Sequence, residues 1–136
     1  MTFEQLEKYC ESIGLVKQVH LQYHGFKFPS KYAARYDFIV AYDKKVNGIR
    51  CANNVVIEDN TVFDGHKFGR GIRCYGFTEP LKSTKDIKEK IDVLMKLYKK
   101  CVLELKKEEY IDRICKIEGD FAQNDRQPVE WLQQFV

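Results

Sequence analysis

The apolar period of this chain changes twice, from helical to alternating and back to helical, so a helix must precede a run of strands and a helical region must follow it. Thr2 and Gln5 stand at capping-box spacing, and Phe3, Leu6, Cys10 and Ile13 recur at helical intervals before Gly14 supplies a stop. From Lys17 the period becomes two. Val19, Leu21 and Tyr23 alternate with His20, Gln22 and His24, and Tyr36, Phe38, Val40 and Tyr42 repeat the pattern. Turn dipeptides at 47–48, 53–54, 59–60 and 64–65 then separate Ile49–Ala52, Val55–Ile57, Thr61–Phe63 and Ile72–Phe77, the spacing of an antiparallel meander.

Ser83 with Asp86 marks a second capping box, and Ile87, Ile91, Leu94, Tyr98, Cys101 and Leu105 follow at steps of four and three. The seam fails at Glu108. With about three to four heptads needed for a coiled coil, packing across the sheet is the preferred reading, and a homodimer is the alternative. Past Glu108 the apolar set moves to Tyr110, Ile111, Ile114, Cys115 and Ile117, which predicts a kink or a second helix. A polar connection over 119–127 leads to Pro128 and an apolar segment in which Trp131 and Phe135 are either a lid on the chain's own core or a protein-docking element.

These elements predict an α+β fold, with an antiparallel β-meander of about four to six strands packed against an N-terminal helix and a long C-terminal helical region, either kinked or straight. A length of 136 residues fits one domain, divided into a helix (1–14), a sheet (15–81), helices (83–118) and the connection with its apolar end (119–136). Apolar residues at 44% and charged residues at 32% exclude a disordered chain. No apolar run approaches the roughly 18 residues of a membrane span, and the N-terminal residues lack the pattern of a secretory signal, so a cytoplasmic location is expected.

The five cysteines include no CxxC pair, which favours reduced thiols over a disulfide framework or a zinc ribbon. His20 and His24, read on one strand, stand about 13 Å apart, too far to share a metal ion. Asp37 and Asp43, read on one strand with Lys45 beyond them, stand about 20 Å apart, which opposes a metal-dependent nuclease. No phosphate-cradling glycine loop or hydrolase motif is present, so the reading is non-catalytic, with no metal and no cofactor.

The net charge of +3 is concentrated in residues 14–81, where ten bases face six acids. In residues 27–36, Lys27, Lys31 and Arg35 recur every four residues, and Phe28, Tyr32 and Tyr36 follow each by one place. Cations neutralise phosphate and rings stack on unpaired bases, so this interleaving suits nucleic acid, while the bland reading is a loop whose rings enter the core. Residues 66–77 repeat the theme with Lys67, Arg70 and Arg73. Gly-Ile-Arg-Cys occurs at 48–51 and at 71–74, which predicts Arg50 and Arg73 on the outer face of one sheet as an anion site. The expected function is therefore a binding protein for an anionic partner, either nucleic acid or a nucleic-acid-handling protein. The alternatives are a protein-binding inhibitor or adaptor of the viral accessory type and a binder of a small phosphorylated ligand.

Overall fold

The structure, a computed structural model, describes residues 1–34, 36–62 and 68–124. The first capping box forms: the Thr2 hydroxyl accepts from the Gln5 N–H at 3.2 Å, and the Gln5 side chain accepts from the Thr2 N–H at 2.9 Å. Two N–H groups that a first turn leaves unpaired are thereby satisfied, and α1 (Phe3–Ser12) follows. At its end Gly14 takes φ +87° and the Leu15 N–H reaches back to the Cys10 carbonyl at 2.9 Å. This Schellman turn closes the helix and delivers Leu15 into the core.

β1 (Val16–His20) and β2 (Tyr23–Lys27) pair antiparallel, with His20 opposite Tyr23. The chain therefore reverses at Leu21 and Gln22, where the alternation alone predicts one continuous strand. Leu21 carries the turn at φ +56° and is exposed, with no Gly, Asn or Asp to announce it. β3 (Val40–Asp43) and β4 (Gly48–Cys51) complete a four-stranded sheet in chain order. Between them Asn47 takes φ +50°, as the Asn-Gly signal predicts.

β5 (Asn54–Val62) and β6 (Phe68–Tyr75) form a separate two-stranded antiparallel ribbon. The strands therefore divide between two sheets, and Arg50 and Arg73 do not share one. The Asp-Asn pair at 59–60, a turn signal in the sequence, lies inside β5, where a shift of register between Glu58 and Thr61 absorbs it as an irregularity. The run from Tyr36 to Tyr42 is also not one strand, because Tyr36 turns at φ +56° and pairing begins only at Val40.

The segment between β2 and β3 fastens the ribbon to the sheet. Ala33 bridges Ile72 in parallel; the Ile72 N–H donates to the Tyr32 carbonyl at 3.0 Å, and the Ala34 N–H donates to the Ile72 carbonyl at 3.3 Å. After β6 the chain returns along β4, where the Thr78 N–H meets the Cys51 carbonyl and the Leu81 N–H the Ile49 carbonyl, each at 2.8 Å.

The described structure divides into a compact unit, Met1–Val102, and a second that starts at Leu103; α2 (Thr84–Asn124) contributes to both. The Ser83 hydroxyl accepts from the Asp86 N–H at 3.4 Å at its start. Ile87, Ile91, Leu94 and Tyr98 are buried, as the preferred reading of that stripe requires, and Tyr98 stacks on Phe28 at 4.7 Å. Of the two alternatives at Glu108, a kink or a second helix, the second helix is not found: α2 continues past Glu108 and past Gly119 to Asn124. Lys, Glu, Leu and Ile are all compatible with helix, so a change in apolar phase does not interrupt the backbone, and Tyr110, Ile111 and Ile117 beyond it are exposed. No helix among the described residues is long and apolar enough to cross a membrane.

Within the four-stranded sheet the tightest approach is at Gly25, where a Cβ would stand 2.2 Å from the buried Phe38 ring. Gly25→Ala should destabilise the protein by about 1–3 kcal/mol, and adding Phe38→Leu should recover part of that loss. Urea midpoints of the single and double variants check this; an unchanged midpoint in Gly25→Ala would refute the contact.

Candidate binding face

Docking of residues 32–34 on Ile72 lays the two basic-aromatic stretches of the sequence edge to edge. Asp37 strengthens this junction. Its carboxylate accepts from the Cys74 N–H at 2.8 Å, although only 6% of Asp37 is exposed. Burial pushes the Asp37 carboxyl up to about 6, against the opposing pull of the Cys74 N–H, Arg73 and Lys27. The Cys74 thiol is likewise raised, by burial first and then by the neighbouring Asp37. Burial also holds Cys10 and Cys51 up at about 12, so these thiols are protonated at neutral pH.

The arginines fall into two environments. Arg50 donates to Asp43 at 3.1 Å and to the Thr78 carbonyl at 2.8 Å, and its guanidinium lies 5.5 Å from the centre of the Phe77 ring. Asp43 is 2% exposed and also accepts from the Lys45 N–H. Removing Arg50 would leave that carboxylate buried without its cation, so Arg50 holds the chain after β6 against the sheet. Asp43 and Asp37 thus serve two separate junctions.

Arg73 and Arg70 lie on the ribbon. Strand alternation places Arg73 with Tyr75 on one side of β6 and Arg70 with Ile72 on the other. The Arg73 guanidinium lies 5.2 Å from the Tyr75 ring centre and 3.9 Å from Glu58, whose carboxylate also accepts from the Tyr75 hydroxyl. Arg70 pairs with Asp59 at 2.9 Å. Both pairs are well exposed, a setting in which an ion pair contributes about 0–1 kcal/mol. Sequence reasoning missed the two acids as partners, because only the cross-strand register brings them to the arginines.

In the other stretch the structure separates the aromatic and basic groups by depth. Lys27 is buried and its ammonium donates to the Ala34 carbonyl at 3.4 Å. Tyr32 is buried too, while Lys31 stays in solvent with its ammonium 5.0 Å from the Tyr32 ring centre. Tyr36 is partly exposed and stacks on His20 at 3.8 Å. His24 faces elsewhere, edge-on to Phe3 at 5.5 Å, and burial lowers its pKa. The outward set is therefore Lys31, Tyr36, Arg73 and Tyr75, with His20 behind Tyr36. Arg35, Lys67, Trp131 and Phe135 lie outside the described residues. No protein-family model matches the chain, and comparison with curated proteins and with solved structures finds no match either.

The raised Asp37 carboxyl has a definite sign in stability. It titrates at about 6 when folded against 3.8 ordinarily, so the folded state binds its proton more tightly. Its contribution is most favourable at low pH and is lost as pH rises through 6. The stability of Asp37→Asn relative to wild type should therefore rise by up to about 3 kcal/mol between about pH 4 and pH 7. Paired urea titrations check this, and a pH-independent difference would contradict it.

Proposed function

We propose that the protein is a non-catalytic binding protein whose contact surface is the joined edge of residues 31–34, Tyr36 and β6, and that its anionic partner is nucleic acid. The observation that carries this reading is the pairing of Ala33 with Ile72, which sets two stretches far apart in sequence side by side. Lys31 and Arg73 supply charge, and Tyr36 and Tyr75, 38% and 41% exposed, supply ring faces that an unpaired base can stack on.

Glu58 and Asp59 do not oppose this reading. An exposed ion pair worth about 0–1 kcal/mol exchanges readily for a phosphate, which releases counterions that a carboxylate does not. The Glu58 carboxylate then sets the threshold for engaging Arg73 and Tyr75.

Fluorescence anisotropy with short single-stranded and duplex oligonucleotides across a salt series tests the proposal. The Lys31→Ala, Arg73→Ala double variant should bind more weakly and flatten the salt slope by about two, one for each lost phosphate contact. Glu58→Gln should bind more tightly than wild type. No binding at low salt would overturn the nucleic-acid reading and redirect the search to a protein that handles nucleic acid.

A further inference from the structure

In the second unit α2 carries a separate apolar stripe. Leu103, Tyr110 and Ile117 stand seven residues apart, and Lys107 and Ile114 follow the first two by four. At about 100° per residue these positions fall within about 80° of arc, on the side of the helix opposite Leu105. Leu103 is 54% exposed, Tyr110 62% and Ile117 47%, and Ile111, which flanks the stripe, is 57% exposed. Singly scattered apolar side chains need no explanation, but a heptad-spaced row in solvent does.

The flanks of the row have opposite character. With Leu103, Tyr110 and Ile117 as d positions and Lys107 and Ile114 as a positions, the g positions are Lys106 and Arg113 and the e positions are Glu104, Ile111 and Glu118. A parallel pair of such helices sets each g residue against the following e residue of the other copy. Arg113 then meets Glu118, and the apolar stem of Lys106 lies on Ile111. An antiparallel pair centred on Tyr110 instead sets Arg113 against Lys106 and Glu104 against Glu118, so that both charged flanking contacts are like-charged, with Ile111 facing its own copy. The polar a residue Lys107 costs stability but disfavours larger bundles.

From this complementarity we infer that two copies of the chain associate in parallel along Leu103–Ile117 of α2. The stripe is short, yet the helix that carries it is already nucleated, because upstream residues Ile87, Ile91, Leu94 and Tyr98 are buried. The inference stands apart from the binding face proposed above, none of whose residues takes part.

Sedimentation equilibrium of the full chain tests it. The mass should rise toward twice the monomer's with concentration, and Ile114→Glu should hold it at the monomer value with the circular dichroism spectrum unchanged. Arg113→Glu and Glu118→Arg should each weaken association by about tenfold, and their equimolar mixture should restore it, because both flanking pairs become attractive again. A wild-type chain that stays monomeric at every concentration would overturn the inference, as would charge variants that associate like wild type. A monomeric wild type that dimerises on Trp131→Ala would assign the stripe to the chain's own C-terminal segment and overturn it equally.

Discussion

The first unit depends on one junction, the docking of residues 32–34 and Asp37 against β6. A two-stranded ribbon is at best marginally stable in water, and β5 with β6 would otherwise present an open edge. Ile72 closes that edge with two backbone hydrogen bonds and a fully buried side chain, and Asp37 covers the next outward N–H, that of Cys74. The carboxylate substitutes for a strand carbonyl where the chain turns away at Tyr36. That substitution has an electrostatic cost, visible in the raised Asp37 carboxyl, and the cost persists because the alternative is a buried N–H with no partner.

The same junction separates structural from available charge. Arg50 is held by a nearly inaccessible carboxylate and a backbone carbonyl, so its guanidinium belongs to the fold. Arg73 lies at ion-pair distance, 3.9 Å, from a solvent-exposed acid, Glu58. Both arginines sit in Gly-Ile-Arg-Cys, and both lie against a ring. What distinguishes them is the depth of the acid beside them. The proposed partner surface therefore excludes Arg50 and centres on Arg73.

Much of the fold was legible where a local rule is strong. The Thr2 and Gln5 box, the Gly14 stop, the Asn47 turn and the buried stripe from Ile87 to Tyr98 all follow from spacing and side-chain chemistry. Where the sequence misleads, the local signal was absent or was overridden. Leu21 makes a turn that normally carries glycine, so alternation continued through a reversal. Asp59 and Asn60 look like a turn but lie within a strand that tolerates an irregularity there. The candidate face was legible as two basic-aromatic stretches, but their adjacency was not, since a parallel bridge between Ala33 and Ile72 leaves no periodic trace. The assignment of Lys27 and Tyr32 to the interior likewise required tertiary contacts.

The most direct measurement of this account is residue-resolved amide hydrogen exchange in β6. Alternation turns the Arg73 N–H toward β5, whereas the N–H groups of Ile72 and Cys74 point outward to Tyr32 and Asp37. If the docked segment closes the edge, Ile72 and Cys74 should be protected as strongly as Arg73. Rapid exchange at Ile72 and Cys74 beside a protected Arg73 would show an open ribbon edge and contradict the junction on which both the fold and the proposed face rest.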